Sequence, residues 1–388
     1  QKGVRFRSSS DSEVVLYALI EWGREALDRF NGMFALGFYD TKEQKLMLAR
    51  DHAGIKPLYC LMHSAGLMFG SQYDQLLAHP WSEGLAFSTD AASLYLHLAS
   101  IPAPFGILKN TFMLEPGGWL EVGSDGRISK GCYYEFPRFQ PPKLSGQDAI
   151  DAVDAAVTAA VKRQLVSDVS IGAFLSGGID SPLVCAKMQE VCESGMRAFT
   201  IGTGGDTTDE SQDAVRYAQA LGIEQTLEHV FPDDAVHMLD DVVAACGEPF
   251  GDFSIFPTLL VSRLARRDFT VMLSGDGGDE LFWGYSQRFA ALMQGAGDFR
   301  YPGYWRRVMH IGRRLFRLPQ TGSQRHDTFG DWQRAVHSRL PQAWLKRIFP
   351  DMLSWPSEYD LYSYDGSDKD DAAQWLRWNE FGGHLGGV

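Results

Sequence analysis

The sequence predicts a mixed α/β protein in two parts, and two observations carry this prediction. Up to about residue 136, apolar residues fall in short β-rich segments separated by turn residues, as in FALGFYD and KLMLARD around the turn DTKEQ. After the next few residues, helical patterns alternate with apolar strands, which is typical of a parallel sheet covered by helices. We therefore expect an α+β domain with a linker over residues 1–140 and an α/β domain over residues 141–388.

In the first part, SDSEVVLYALIEWGREALDRF predicts a helix with Ser10 or Asp11 as its N-cap, because such side chains accept hydrogen bonds from the first helical turn. The segment DQLLAHP predicts a short helix that ends at Pro80. The stretch PRFQPPKLSGQ is the predicted linker. The predicted strands are FALGFYD, KLMLARD, PLYCLMH, GLMFGSQ, GGWLEV and RISKGCYYEF.

The second part is predicted to begin with a long helix at GQDAIDAVDAAVTAAVKRQL. The pattern beyond about Gly284 is mostly helical and rich in tryptophan. Between them we predict strand VSIGAFL, helix SPLVCAKMQEVCESG, strand RAFTIGT, helix DESQDAVRYAQALG, strand TLEHVF, helices DDAVHMLDDVVAACG and PTLLVSRLARR, and strand FTVMLSG.

The composition limits the class of protein. A content of 45% hydrophobic and 22% charged residues indicates a folded chain, and 388 residues are too many for one ordinary core. The net charge of -13 opposes contact with nucleic acid or acidic membranes unless a local basic patch exists. No apolar stretch approaches the roughly 18 residues of a membrane span, and the five cysteines lack zinc-site spacing. We therefore expect a soluble, cytoplasmic protein with no integral membrane segment and no nucleic-acid partner.

One segment departs from this acidic composition, between Phe299 and Leu318. Its arginines alternate with aromatic residues. They are Arg300, Arg306, Arg307, Arg313, Arg314 and Arg317, with Tyr301, Tyr304, Trp305 and Phe316 between them. The segment is interpreted either as an amphipathic surface helix or a contact to missing parts of the protein, or as a contact to a membrane or nucleic acid.

A glycine turn, Ser176-Gly177-Gly178-Ile179-Asp180-Ser181, stands between a predicted strand and a predicted helix. Free N–H groups at a helix N-terminus bind anions without any side chain. No GxxxxGK[ST] motif is present, so no lysine is placed for the β and γ phosphates. Asp180 instead indicates a pyrophosphate with Mg²⁺ bridging to the carboxylate, and hence cleavage between the α and β phosphates. A purely structural glycine turn remains the alternative.

Two further strand ends carry suitable groups, since ligands of open α/β sheets lie beyond the carboxyl ends of the strands. Thr200-Ile201-Gly202-Thr203 is placed to flank a flat adenine. The turn SGDGGDE brings Asp276, Asp279 and Glu280 together, and their mutual repulsion predicts a compensating cation shared with Asp180. The alternative is a solvated acidic turn that caps the next helix.

The segments SDVSIGAFLSGGIDS, FTIG, GEPFGDFSIFPTLLVSRLAR and LSGDGGDELFWGY follow the order found in glutamine-dependent asparagine synthetases, and the chain resembles that family up to about Tyr285. SDSEVVL, FNGMFALGFYD, LMLARDHAGIKPLYC and GLMFGSQ resemble its class II glutamine amidotransferase domain. The resemblance implies a partial α+β amidotransferase domain with layered sheets of the Ntn type. An ATP-pyrophosphatase domain of the adenine nucleotide alpha hydrolase type, with a helical C-terminal part, would follow.

The resemblance also implies roles for individual residues. Asp180 and Asp276 would be catalytic, with Asp276 near the acyl-adenylate, and Asp180 and Asp279 would bind Mg²⁺. Asp11 would bind the α-amino group of glutamine. The implied ATP and pyrophosphate contacts are Leu175, Ser176, Gly177, Gly178, Asp180, Ser181, Ile201, Ser274 and Gly275. The implied ligands are thus ATP, Mg²⁺, glutamine and aspartate or another carboxylate, and the resemblance allows a homodimer.

The sequence departs from the family pattern in several places. The family's glutaminase nucleophile is an N-terminal cysteine, and the family continues to a catalytic lysine; the chain contains neither, so we expect a fragment truncated at both ends. We expect Cys60 to be a small buried hydrophobe, and Arg50 and Asp51 to be structural. Trp283 replaces a usual glycine, and we expect it to fill a gap in the core.

The expected reaction is ATP-dependent adenylation of aspartate followed by amidation with ammonia from glutamine, giving asparagine, glutamate, AMP and pyrophosphate. AMP is a good leaving group, whereas a carboxylate oxygen is a poor one. Three alternatives stay open: an amidotransferase acting on a surface-polysaccharide uronic acid or a peptide, a non-catalytic family member, and an N-type pyrophosphatase of tRNA thiolation. The last would need a reactive cysteine and a basic RNA surface, and neither is evident.

Overall fold

The computed structural model describes residues 3, 5–136, 143–192, 195–204, 209–300, 303–316, 323, 326–340, 342–350, 355, 356, 359, 362, 375–377, 379 and 380. The strands are β1 Ala35–Asp40, β2 Lys45–Arg50, β3 Tyr59–His63, β4 Gly66–Gly70, β5 Thr111–Met113, β6 Gly118–Val122, β7 Ile128–Cys132, β8 Ile171–Phe174, β9 Arg197–Gly202, β10 Glu224–His229 and β11 Val271–Leu273. The α-helices are α1 Asp11–Trp22, α2 Tyr73–Leu77, α3 Thr89–Leu98, α4 Gly146–Gln164, α5 Asp180–Val191, α6 Ser211–Leu221, α7 Pro232–His237, α8 Leu239–Cys246, α9 Ile255–Arg266, α10 Gly278–Phe282, α11 Ser286–Ala296, α12 Gly303–Leu315, α13 Phe329–His337 and α14 Gln342–Ile348.

Two antiparallel sheets form the first part, with strand orders β1-β2-β6-β7 and β4-β3-β5. Their facing sides share one hydrophobic cluster, to which β2 gives Leu48, β6 gives Leu120 and β3 gives Cys60. Alternate side chains of each strand therefore point into the layer between the two sheets. This arrangement confirms the predicted α+β architecture of layered sheets.

The first helix, α1, begins as predicted, because the Ser10 side chain accepts a hydrogen bond from the backbone N–H of Ser12. It ends earlier than predicted. Gly23 has a φ of 56°, which ends the α-helix, and the chain continues as a 3₁₀ helix over Gly23–Arg29. Ala26 of that segment still packs with α1 and Met47 of β2.

One parallel sheet, of order β10-β9-β8-β11, forms the second part. Helix α5 connects β8 to β9, and α6 connects β9 to β10, so the predicted alternation is confirmed. The single helix predicted over DDAVHMLDDVVAACG is instead two, α7 and α8, separated by Met238. Part of the predicted linker, residues 137–142, lies outside the described residues, and a domain boundary near residue 140 stays a prediction.

Helix α3 links the two parts. Its Leu94 packs with Tyr359 and Tyr362, and the carbonyl of Ala99, which follows α3, accepts a hydrogen bond of 2.7 Å from the backbone N–H of Gly251. Further on, α11 and α13 pack through their own cluster around Phe289, as the helical pattern predicted. Within the described residues, no helix combines the length and the apolar character that crossing a membrane requires.

Candidate active site

Strand β8 lies at the point where the order of the strands in the parallel sheet reverses. The chain proceeds from β8 through β9 to β10 on one side, whereas β11 pairs with the opposite side of β8. Ligands of open parallel sheets bind where the strand order reverses, beyond the carboxyl ends of the two strands. The glycine turn follows β8 and the acidic turn follows β11, so both predicted loops lie at this point.

The glycine turn is held by its own hydroxyl groups. The backbone N–H of Ser176 donates to Ser181 Oγ at 2.8 Å, and the two serine hydroxyls lie 2.9 Å apart. The N–H of Gly178 donates weakly to Ser176 Oγ at 3.3 Å. Ser176 is exposed, Ser181 is buried at the start of α5, and α5 begins at Asp180. The turn therefore presents polar groups beside a helix N-terminus, where an anion is favoured.

The two loops touch through glycines that have no room for a side chain. A Cβ on Gly275 would lie 2.6 Å from the backbone N of Ser181, and a Cβ on Gly278 would collide with the Asp180 carboxylate. Gly284 likewise lies directly against the Asp279 carboxylate. The glycines of the acidic turn thus permit close approach of the chain to Asp180 and Asp279.

The electrostatics of the loops are those of a site that lacks positive charge. Burial raises the pKa of Asp180, and the negative charge of Asp279 raises it further. In the part of the chain that the structure describes, neither carboxylate forms an ion pair and no group of three metal-binding side chains occurs. Two carboxylates that repel each other beside the glycine turn fit a Mg²⁺ ion, which takes few protein ligands and several oxygens from water and phosphate.

The remaining acids of the turn are in different surroundings. Asp276 is exposed, and Ser274 Oγ donates a hydrogen bond of 2.7 Å to its Oδ2. Glu280 is buried, and Tyr285 donates to its Oε1 at 2.8 Å. Burial raises the pKa of Glu280 despite this hydrogen bond. Asp276 is thus available to a ligand, whereas the buried Glu280 is hydrogen-bonded to Tyr285 within the protein.

The predicted adenosine contacts lie at the ends of neighbouring strands. Leu175 directly follows β8 and is buried, and its carbonyl accepts a hydrogen bond of 2.7 Å from Thr200 Oγ of β9. Ile201 is half-buried and packs beside Phe199. Ser274 and Gly275 follow β11 on the other side of β8. The four residues therefore share one edge of the sheet, and their contact with adenosine stays a prediction.

A cavity of about 880 Å³ lies between the two parts of the chain. The first part lines it with residues that include Lys56, Tyr59 and Met113. The predicted site residues that line it are Asp180, Ser274, Gly275 and Asp276. The other predicted residues do not line it, namely Asp11, Leu175, Ser176, Gly177, Gly178, Ser181, Ile201 and Asp279. The structure therefore joins part of the predicted site to a space that both parts enclose.

Glu248, which was not predicted as a site residue from the sequence, also lines this cavity. Its Oε1 accepts a hydrogen bond of 2.8 Å from the backbone N–H of Ile107, so it bridges the two parts of the chain. Burial raises its pKa to about 7, although Ile107 and Tyr59 hydrogen-bond to it. The available signal was an acid between Gly247 and Pro249 in the segment GEPF. A carboxyl group that lines a cavity and has a pKa near neutral pH is able to exchange a proton with a ligand.

Asp11 stands apart from the loops described above. It is the first residue of α1, it is exposed, and Ser12 Oγ contacts its Oδ1 at 3.4 Å. Next to it, Glu13 accepts hydrogen bonds from the backbone N–H groups of Arg7 and Ser8 at 2.9 and 2.7 Å, which fix the segment before the helix. Its implied role with glutamine stays a prediction.

Three other interpretations are confirmed. Arg50 is buried and donates to the carbonyl oxygens of Lys56 and Leu114. Asp51 is buried and accepts from backbone N–H groups of the same turn, so both residues are structural. Cys60 is buried in the cluster between the sheets, and burial raises its pKa to about 12, which makes its thiolate rare at neutral pH.

The interpretation of Trp283 as a core residue is wrong. Its side chain is 42% exposed and contacts Phe289 at the edge of the helical region, with ring centroids 6.3 Å apart. Its φ of 61° lies in the left-handed region that favours glycine, and it ends α10. This backbone conformation suits the usual glycine, and nothing in the structure explains the tryptophan that replaces it.

The comparisons with known proteins agree with the two-part fold. Residues 1–134 match the model of a glutamine amidotransferase domain, and residues 152–381 match the model named Asparagine synthase. The class is thus a glutamine amidotransferase domain joined to a synthetase domain. The chain belongs to the asparagine synthase family.

Curated relatives are of the same kind. A putative glutamine-hydrolyzing asparagine synthetase 2 of Methanocaldococcus jannaschii is 37% identical over 284 residues, which are 72% of this chain and 54% of the relative. A putative glutamine-hydrolyzing asparagine synthetase of Mycobacterium bovis is 33% identical over 74% of this chain and 44% of the relative. Glutamine-hydrolyzing asparagine synthetase 1 of Bacillus subtilis is 30% identical with the same coverage. The chain spans about half the length of these relatives.

Proposed function

We propose that the chain belongs to a glutamine-dependent ligase that activates a carboxylate with ATP and converts it to an amide. The observation that carries this proposal is the position of Asp180. It begins α5 directly after the glycine turn, its carboxylate lies against the acidic turn at Gly278, and it lines the cavity between the two parts. The glycine turn and the acidic turn therefore meet beside one cavity, which Asp180 lines.

In this proposal the chain binds ATP at the strand ends. The N–H group of Gly177 and the hydroxyls of Ser176 and Ser181 contact the β and γ phosphates, which leave as pyrophosphate. Leu175, Ile201, Ser274 and Gly275 border the adenosine. Support comes from the exposure of Ser176 beside the start of α5 and from the common edge that the other residues share.

The carboxylates divide the remaining tasks. Mg²⁺, when bound by Asp180 and Asp279, supplies positive charge that stabilises the departing pyrophosphate. Asp276 is exposed toward the cavity and oriented by Ser274, so we assign it to the acyl-adenylate and its attacking ammonia. The substrate carboxylate attacks the α phosphate and displaces pyrophosphate. Ammonia then attacks the acyl carbon and displaces AMP, with one proton released to a base.

We assign aspartate as the acceptor and glutamine as the nitrogen source, with Asp11 at the α-amino group of glutamine. The names of the curated relatives support this assignment. A second candidate is an amide ligase for a different carboxylate, such as a uronic acid or a peptide. The observation that favours it is the exposed aromatic side chain of Trp283. This residue directly follows Phe282, and Phe282 lines the cavity.

The test is pyrophosphate release by the protein in its full length, with ATP, Mg²⁺ and glutamine, in the presence of aspartate or of a uronic acid. We expect release that depends on aspartate, together with equal amounts of AMP and asparagine. Release with the uronic acid alone would remove aspartate and retain the ligase class. Absence of release with any carboxylate, from a folded protein, would contradict the proposal.

The variant Asp180→Ala tests the assignment of the carboxylate. We expect pyrophosphate release to fall at least about 100-fold, because loss of one electrostatic stabiliser of a transition state has this order of effect. The matched control is Asp148→Ala, an exposed acid in the first turn of α4. Unchanged turnover in Asp180→Ala would refute the mechanism.

A further inference from the structure

The helix α12 has one apolar side and one basic side. Successive helical residues are separated by about 100°, so the positions of Tyr304, Val308, Ile311 and Leu315 fall within an arc of about 60°. The same spacing places two of the four arginine positions opposite this arc and the other two along one border of it, and no acidic residue occurs in α12. These positions are 306, 307, 313 and 314. Tyr301 and Arg317, which flank the helix, lie outside the described residues.

The apolar side of α12 is open to solvent. Tyr304 is 72% exposed, Leu315 is 74% exposed and the adjoining Phe316 is 77% exposed. Trp305 and Ile311 are exposed as well. In the described part of the chain, none of these side chains joins a hydrophobic cluster. Apolar patches of this kind mark a surface that another structure covers.

The charge of α12 indicates what kind of surface covers its apolar side. The chain carries a net charge of -13, yet α12 contributes only positive side chains. Arg307 is exposed, and its single described ion pair, with Asp327 at 2.9 Å, is itself at the surface. A covering surface must therefore accept apolar side chains and offer negative charge beside them.

We propose that α12 is an interfacial helix that lies on the surface of a bilayer containing anionic phospholipids. Leucine, phenylalanine and tryptophan enter the boundary between headgroups and acyl chains, and arginines contact the phosphates. Tyr304 and Trp305 have rings that combine an apolar body with a polar atom, which suits the headgroup level. Nucleic acid would engage the arginines but would leave the apolar side exposed.

The helix lies on the bilayer and does not cross it. Its 13 residues extend over roughly 20 Å, whereas a hydrocarbon core is about 30 Å thick. Its arginines also oppose insertion along the bilayer normal. The proposal therefore concerns peripheral, reversible and salt-sensitive attachment.

Co-sedimentation of the full chain with vesicles tests the proposal. One vesicle preparation contains phosphatidylcholine alone, and the other contains about one third phosphatidylglycerol, which gives a negative surface potential. We expect at least about tenfold stronger partitioning to the anionic vesicles at low salt, and loss of this preference at high salt. Equal partitioning to both vesicles, or none to either, would overturn the proposal.

Two variants separate the apolar and the basic contributions. Leu315→Asp should lower partitioning about tenfold or more, and Arg307→Glu should lower it about fivefold or more, with unchanged circular dichroism. The matched control is Val243→Asp, since Val243 is also 74% exposed but lies on α8. Wild-type binding by Leu315→Asp would overturn the proposal.

Two other occupants of the surface would give different results. If a second copy of the chain covers it, light scattering will show a dimer that Leu315→Asp dissociates, without vesicle binding. If nucleic acid is the partner, duplex DNA will bind with an affinity that depends on Arg307 and is independent of Leu315. Either result replaces the membrane assignment.

Discussion

At the scale of single residues, the candidate site depends on two glycines, because a residue with a Cβ atom would not fit at their positions. Gly275 lies against the backbone of Ser181, and Gly278 lies against the Asp180 carboxylate, at distances that exclude a methyl group. Sequence patterns present these glycines as loop formers. The structure shows that they instead bring two separate strand ends together, so that the acidic turn lies against Asp180.

The variant Gly278→Ala tests this function of glycine. Its methyl group would displace the Asp180 carboxylate, and misplacement of a reacting group by about 1 Å lowers rates about 100-fold. We therefore expect kcat/KM for pyrophosphate release to fall by this order while the melting temperature changes little. Gly312→Ala is the control, because a Cβ there meets no atom within 4 Å. Equal activity of the two variants would show that the contact is not needed.

At the scale of elements, the turn after α8 connects the two parts of the chain. Glu248 accepts the Ile107 N–H, and three residues later Gly251 donates to Ala99 at the end of α3. Both hydrogen bonds reach from the second part into the first. The turn therefore holds α3 beside the cavity, and the ionisation of Glu248 bears directly on this contact.

A pH dependence of stability follows from Glu248. Its pKa of about 7 is above the usual value of 4.5, so the native state binds this proton more strongly than the unfolded chain does. The stabilisation is complete below pH 4.5 and is lost as the pH rises through 7. Glu248→Gln keeps the acceptor without the charge, so its unfolding free energy should fall less between pH 5 and pH 8, by on the order of 2 kcal/mol.

Calorimetric melting at the two pH values measures this difference. Other carboxyl groups titrate in both proteins, so the difference between wild type and Glu248→Gln isolates one residue. Glu83→Gln, at an exposed glutamate, should retain the wild-type pH dependence. Parallel stability curves for wild type and Glu248→Gln would contradict the assigned pKa.

Sequence reasoning found the elements that local pattern determines. The strand, glycine turn and helix around Asp180 were predicted because all their signals lie within twenty adjacent residues. The position of Glu248 was not predictable in this way, since its burial depends on Ile107 and Tyr59 far away in the chain. The prediction that Trp283 fills a gap in the core was wrong for a related reason, because its exposure and its positive φ depend on the surrounding structure.

At the scale of the whole molecule, the cavity that both parts line is the candidate route for ammonia, if glutamine is hydrolysed in one part and amide is formed in the other. Ala245 lines this cavity, whereas its neighbour Ala244 on α8 does not. The two alanines are both exposed at their side chains. They therefore form a matched pair for testing whether the cavity serves as the route.

We expect Ala245→Trp to lower amide formation from glutamine about tenfold or more, because an indole ring obstructs the space. Amide formation from added ammonium and glutamate release should persist. Product ratios, glutamate against amide, measure the uncoupling, and Ala244→Trp should keep the wild-type ratio. A wild-type ratio for Ala245→Trp would place the route elsewhere.

The pairing of β8 with β11 has a consequence for how the protein gains its activity. The two strands are about a hundred residues apart, and contacts of such separation form late because closing a long loop costs entropy. If the proposed site is correct, a partly folded chain with β8, β9 and β10 in place holds the glycine turn without the acidic turn and cannot consume ATP. Nucleotide that contacts both turns would then favour the paired state of β11 and protect this strand from opening.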